Sequence, residues 1–323
     1  MPCNHPLYAF DTGCKTESGK TEYFISKGQS TIVDVAFAER ALGHHVRRVR
    51  FANGHAYLYD PVQIPCGSCS GCRIERAKEW KVRCCLEASR YDVNSFITLT
   101  YDNAHLPKDG FLVKKDLQDF FKRLRYYCGD VRYFACGEYG EITHRPHYHA
   151  LLFGVNFDDC SFHTMSNHRP FFTSDKLSKA WPHGLALVGS VDSGSIAYVT
   201  GYVEKKQLDH DWFKYPVKPF SLMSRKPGIG SFYYDLARED FQASPYCYGN
   251  FGTSHKSKLP RFFLRKLEND FPEVYEELKR RRRARGLIAS DIVFCDTLGA
   301  TDDQKGFAQD FHDIQSRRRV DKL

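Results

Sequence analysis

Two hydrophobic rhythms run through the middle of the chain. Phe96, Ile97, Thr98, Leu99, Thr100 and Tyr101 form a short run of β-branched and aromatic residues that predicts a buried strand. Leu117, Phe120, Phe121 and Leu124 fall at i, i+3, i+4 and i+7, the spacing of a helix that packs one face on a core. Before the strand, residues 73–91 are rich in Glu, Lys, Arg, Ala and Leu and predict another helix. After the second rhythm, Val131–Cys136 and His147–Val155 predict two more strands, with Gly137, Gly140 and Pro146 punctuating a hairpin or a wider turn. Ser195 is a candidate cap for a helix from Ile196 to about Lys206. This order of elements predicts an α+β domain over about residues 70–210, with helices packed on a central antiparallel sheet.

Outside that region the pattern weakens. Residues 1–65 offer a loop-like start with Cys3, His5 and Cys14, then short strand-like pieces at Thr31–Phe37 and Val46–Phe51. Residues 207–258 hold four prolines and Gly228, Gly230, Gly249 and Gly252, so they are expected to be loop-heavy, and the tail from Arg261 is expected to be helical. The expected division is an N-terminal segment 1–65, an α+β domain 66–210 and a loop-rich and helical C-terminal region 211–323. There is no internal repeat.

At 42% hydrophobic and 27% charged the 323 residues are those of a globular chain, which excludes a collagen, an acidic tail or a bare linker, and the length suits about two domains. The net charge of +8 suits a polyanionic partner without requiring one, since it also serves solubility. No stretch approaches the roughly 18 apolar residues of a membrane span. Met1–Phe10 lacks a basic segment followed by an apolar one, so a soluble protein with no export signal and no membrane partner is expected. In that setting the twelve cysteines are expected as reduced thiols or metal ligands rather than disulfides.

Several residues carry candidate chemistry. On a strand, His147 and His149 point to one face and Tyr148 to the other, and two neutral imidazoles on one face can grip a divalent cation. A surface pair is the bland alternative. If Val131–Glu138 pairs antiparallel with the His strand, Glu138 can lie opposite His147 and supply a third ligand, with Glu141 the second choice. Otherwise Glu138 is a solvated turn residue. Two imidazoles and a carboxylate suit Mg²⁺ or Mn²⁺. Tyr198, Tyr202 and Lys205 stack on one helix face, as nucleophiles beside a cation or as an ordinary packed face. Cys66, Cys69 and Cys72 form C-x2-C-x2-C, three of the four ligands of a structural Zn²⁺. The fourth would come from Cys3, His5, Cys14, Cys84 or Cys85, and the competing reading is a Gly-rich turn with reduced thiols. Arg225 and Lys226 beside Gly228 and Gly230 form either a phosphate-contacting turn or a plain one. Lys279, Arg280, Arg281, Arg282, Arg283 and Arg285 follow Glu273, Glu276 and Glu277, so they are either a DNA contact or a helix end that complements its macrodipole.

Taken together, FITLTY at 96–101, HRPHYHALLFG at 144–154 and YVTGYVEK at 198–205 resemble the three motifs of the HUH endonucleases of rolling-circle replication. More narrowly the chain is similar to the replication initiators of the gokushovirus group of single-stranded DNA phages, a likeness that extends to PCGSCSGCR at 65–73 and MSRKPGIG at 223–230 and covers about residues 65–235. The resemblance implies an RRM-like α+β domain, with His147 and His149 as metal ligands, Tyr198 and Tyr202 as nucleophiles and Lys205 near the scissile phosphate. It implies an enzyme that nicks an origin strand, keeps a 5′ phosphotyrosine link and later rejoins ends to release circular single-stranded DNA. Origin and single-stranded DNA, a host polymerase and a host helicase are the implied partners, and the host bacterial cytoplasm the implied place. Two alternatives stand beside it: a plasmid or transposon nickase of the same superfamily, and a noncatalytic zinc-containing nucleic-acid-binding protein.

Overall fold

A computed structural model describes residues 3–28, 30–166, 168–205, 215–238, 246–250 and 254–281, with side chains described except at 202–205, 246–250 and 254–256. The chain divides into two units, Met1–Glu75 and Arg76–Leu323.

In the first unit, β1 (Leu7–Lys15), β2 (Thr21–Ser26), β3 (Val33–Asp34), α1 (Val35–Leu42), β4 (Arg50–Ala52), β5 (His55–Leu58) and β6 (Val62–Ile64) build two small antiparallel sheets, ordered β2-β1-β6 and β3-β5-β4. Phe10, Phe24, Ala38, Val46 and Leu58 form its core. The strand expected over Thr31–Phe37 is only two residues long. The Asp34 carboxylate accepts the Phe37 N–H at 3.1 Å and caps a helix through Ala36, Ala38, Glu39 and Arg40 instead. Likewise only Arg50 and Phe51 of the piece expected at Val46–Phe51 lie in a strand.

Helix α2 (Ser70–Ala88) begins in the first unit and runs on into the second. There follow β7 (Asn94–Thr100), α3 (Lys114–Cys128), β8 (Arg132–Tyr139), β9 (Pro146–Phe153), β10 (Cys160–Ser166), β11 (Arg169–Ser174), α4 (Asp175–Ala180), β12 (Ala186–Ser190), α5 (Ser193–Lys205), β13 (Phe220–Met223), α6 (Ser231–Ala237), β14 (Tyr246–Asn250), β15 (Ser254–Lys258), α7 (Arg261–Asp270) and α8 over 272–281. Seven of these strands form one antiparallel sheet, ordered β10-β11-β12-β7-β9-β8-β13. The fold is α+β, as the sequence predicts.

Strand alternation sorts the central side chains onto two faces. Ile97, Leu99, Ala135, Tyr148, Ala150 and Leu152 bury one face under Leu117, Phe120, Phe121 and Leu124 of α3 and Leu177 of α4. Phe96, Phe134, Cys136, Leu151 and Phe153 on the other face pack with Cys84 and Ala88 of α2 and Ile196 and Val199 of α5. The start of α5 differs from the expectation. Asp192 accepts the Ser195 N–H at 2.7 Å while the Ser195 hydroxyl accepts the Asp192 N–H at 2.8 Å, so Ser195 sits inside the helix and Asp192 caps it.

The stretch expected to be loop-heavy carries β13 on the edge of the main sheet, with Leu222 opposite Ala135, and α6 just beyond it. A four-residue strand is too short for its period to stand out among prolines. The turn between them is tied to the underlying helix: the buried Glu87 carboxylate accepts the Gly230 N–H and pairs with Arg132, whose guanidinium also donates to the carbonyls of Pro227 at 3.0 Å and Gly228 at 3.2 Å. Gly230 has φ of +75°, and a Cβ there would lie 3.0 Å from the Arg83 carbonyl, so glycine suits both the backbone and the close approach.

Candidate active site

Positions 147 and 149 of β9 are central in the sheet, flanked by β7 and β8, which fixes their backbone on both sides. Glu138 of β8 stands directly opposite His147, in the register that puts all three side chains on the α5 face. The Glu138 Oε1 lies 2.8 Å from His147 Nε2 and 3.0 Å from His149 Nε2. Glu138 is a buried strand residue at 7% exposure, not a solvated turn residue, because β8 continues through Gly137 to Tyr139. Glu141, the second candidate, is exposed in the turn between β8 and β9. Tyr148 points the opposite way, fully buried, with its hydroxyl between Val113 and Tyr101.

The remaining hydrogen bonds orient the two rings. His147 Nδ1 lies 3.1 Å from the Arg145 carbonyl, which can only accept, so Nδ1 carries a proton and Nε2 faces Glu138, donating to it when the ring is protonated and offering a lone pair when a cation takes the proton's place. His149 Nδ1 lies 3.0 Å from Thr98 Oγ1, its cross-strand neighbour, and the Phe96 ring stacks on the imidazole with centroids 5.6 Å apart at 10°. Three electron-rich atoms, two imidazole nitrogens and a carboxylate oxygen, thus converge within 4.8 Å of one another. Such a set is stable only with positive charge among its members, either protons on the rings or a cation held by all three. Burial pushes the Glu138 carboxyl up, but the hydrogen bonds from His147 and His149 outweigh it and hold the group below the usual carboxylate range. The donor set therefore fits a divalent cation with open positions for oxygen ligands.

Helix α5 brings Tyr198 over this cluster. Its hydroxyl lies 3.5 Å from His149 Nε2, and the two rings meet edge to face at 5.2 Å. Ile196 and Val199 are buried beside it and anchor the helix on the sheet. Tyr202 and Lys205 lie on the same helix, their side chains outside the described ones. Thr98 and Phe96 lie in the first motif, FITLTY, but the sequence assigns neither a role in the site. The signal for both is their alternation on β7, which becomes readable only when β7 is paired with β9.

The other expected residues lie elsewhere. Arg225 and Lys226 are exposed in the turn after β13. Arg280 and Arg281 are exposed on α8, each paired with Glu277, and Arg282, Arg283 and Arg285 lie outside the described residues. Cys66, Cys69 and Cys72 come together with Cys3 in the first unit. Burial raises the Cys3 and Cys72 thiols, taking Cys72 up to about 12, whereas donors from Cys69 and Ser68 outweigh burial at Cys66 and bring it down to about 6. Of the other fourth-ligand candidates, Cys14 lies with Glu22 and His44, and Cys84 is core. No helix among the described residues is long and apolar enough to cross a membrane.

Residues 94–207, which contain the three sheet strands and the helix of this site, match the family described as Replication-associated protein ORF2/G2P. The chain is 28% identical over 292 residues to Replication-associated protein ORF2 of Spiroplasma virus 4, covering 81% of this chain and 90% of the relative. It is 31% identical over 229 residues to Replication-associated protein VP4 of Bdellovibrio phage phiMH2K, covering 66% and 70%. Against Replication-associated protein ORF4 of Chlamydia phage 1 the identity is 33% over 153 residues, 44% of this chain and 38% of the relative. No solved structure matches the chain. With similarity spanning 70% of one phage relative and 90% of another, and with the site strands inside the matched segment, this chain belongs to the replication-associated protein family of these bacterial viruses.

Proposed function

We propose that the chain initiates rolling-circle replication in the host cell by cutting one strand of the viral origin with a tyrosine and later rejoining the ends. The observation that carries this reading is the convergence of Glu138, His147 and His149 beneath the Tyr198 hydroxyl. Glu138, His147 and His149 would hold Mg²⁺ or Mn²⁺, which when bound neutralises phosphate charge and polarises a phosphoryl oxygen. Thr98 and the Arg145 carbonyl keep the two Nε2 atoms turned toward that position.

The Tyr198 oxygen attacks phosphorus; the new P–O bond forms as the bond to the 3′ oxygen breaks. The phenol gives up its proton, and the departing 3′ oxygen takes one to become a hydroxyl that a polymerase extends. A phenol has a pKa near 10, so the attack depends on charge stabilisation nearby, a role that Lys205, three residues beyond Tyr202, supports from the same helix. Rejoining is the reverse reaction and needs no nucleotide cofactor, because the phosphotyrosine keeps the energy of the broken diester. Tyr202, one helical turn from Tyr198, serves as the second nucleophile, so that one tyrosine cuts the regenerated origin while the other holds the old end. Arg225 and Lys226 are exposed and free to approach a phosphate backbone, and Arg280 to Arg283 add a second basic stretch.

Incubating the full chain with circular single-stranded viral DNA and Mn²⁺ tests the proposal. A linear product with a denaturation-resistant protein link is expected, and it is lost when His147 and His149 are both changed to Ala. Binding of the DNA with no cleavage would favour the noncatalytic nucleic-acid-binding alternative.

A further inference from the structure

The four cysteines of the first unit are not used by the chemistry above. Cys66 and Cys72 approach with sulfurs 4.0 Å apart, Cys3 and Cys69 with sulfurs 3.8 Å apart, and all four sulfurs lie within 4.8 Å of one another. A tetrahedron with Zn–S bonds of about 2.3 Å has edges of about 3.8 Å, so the observed spacings are close to those of a tetrathiolate metal centre. Disulfide bonding would draw one pair of sulfurs to about 2 Å. All four thiols are free here, and they form a closed set rather than pairs.

The surroundings suit thiolates. The N–H of Cys69 donates to the Cys66 sulfur at 3.3 Å, the N–H of Cys66 donates to the Cys3 sulfur at 3.3 Å, and the Ser68 hydroxyl donates to the Cys66 sulfur at 3.6 Å. Helix α2 starts at Ser70, so Cys69 and Cys66 precede the end of a 19-residue helix that favours negative charge. Arg73, next to Cys72, is only 7% exposed, donates to the Ser68 carbonyl at 2.6 Å, and its Nε finds no partner among the described residues. A buried guanidinium beside this turn counters the net negative charge of four thiolates around a dication.

We propose that Cys3, Cys66, Cys69 and Cys72 form a structural Zn²⁺ site that fastens residue 3 to the first turn of α2. Such a centre closes a loop of more than sixty residues between Cys3 and Cys66, and so holds together the small sheets of a unit whose apolar core is only a handful of side chains. It is independent of the nicking reaction.

The test uses the full chain with His147 and His149 both changed to Ala, so that metal at the other cluster does not count. One zinc per chain is expected by elemental analysis, and replacement by Co²⁺ should give the intense absorption of tetrahedral thiolate ligation. Cys3→Ser should lose the zinc or shift that spectrum, whereas Cys14→Ser should leave both unchanged. If Cys3→Ser does not fold, alkylation of the unsubstituted cysteines decides: Cys3, Cys66, Cys69 and Cys72 should resist modification until a chelator is added. Zinc-free protein, a Co²⁺ spectrum without thiolate character, or Cys3 alkylated equally fast before and after chelation would overturn the proposal.

Discussion

Thr98→Val isolates the support of the proposed metal-binding cluster from its ligands. Valine keeps the β-branched shape that β7 accommodates and removes only the oxygen 3.0 Å from His149 Nδ1. The ring is buried at 6% exposure, with Phe96 stacked on one face. Its Nδ1–H then has no acceptor from this strand, and leaving a buried donor unsatisfied costs about 1–3 kcal/mol. That cost is avoided if the ring turns or changes tautomer, and either response takes the Nε2 lone pair away from the cation position it would share with Glu138. Loss of a partner that orients a ligand typically weakens metal binding about 10- to 100-fold, equivalent to about 1.4–2.7 kcal/mol, which agrees with the desolvation figure. Titration of Mn²⁺ into wild-type and Thr98→Val protein, followed by calorimetry and by nicking rate, should show the apparent dissociation constant rising by that factor. Thr98→Ser, which retains the hydroxyl, should recover most of it. Equal Mn²⁺ affinity in wild type and Thr98→Val, with both chains folded, would refute the reasoning that this hydroxyl orients His149.

Three further outcomes are expected. Glu87→Ala leaves the guanidinium of Arg132 and the Gly230 N–H without their buried acceptor, and should destabilise the large unit by about 3–5 kcal/mol in denaturant unfolding. Because Glu138 is held below its ordinary value of 4.5, its contribution to the metal-free chain is present above that pH and is lost as pH falls through the lowered value. The stability difference between wild type and Glu138→Gln should therefore narrow on acidification, and a difference that widens would contradict the sign of the shift. Tyr198→Phe and Tyr202→Phe should each keep partial adduct formation and the double variant none, as judged by gel shift under denaturing conditions.

How much of this was readable beforehand depended on distance along the chain. The two-residue spacing of His147 and His149 and the apolar run after them place the rings on one face and Tyr148 on the other, and the register with Glu138 follows from pairing two strands that adjoin in sequence. The α3 face was equally plain, because its four apolar positions follow a helical period. The sequence marks Thr98 and Phe96 as part of a motif but not as partners of His149: β7 meets β9 across the intervening α3 and β8, so their part depends on a nonlocal pairing. Cys3 was one of five candidates for the same reason, since sequence spacing says nothing about a partner more than sixty residues away. Asp192 and Ser195 were one turn apart with similar capping ability, and only the reciprocal bonds decide which begins the helix. β13 leaves no mark in the sequence because four residues followed by a Ser-Arg-Lys-Pro turn show no period of their own.

Mapping the covalent link tests the central claim most directly. After reaction of wild-type protein with origin-bearing single-stranded DNA and Mn²⁺, nuclease and protease digestion followed by mass spectrometry should find a nucleotide joined through its 5′ phosphate to Tyr198 or Tyr202. A nucleotide carried by any other residue, or cleaved DNA with no residue carrying one, would contradict the account.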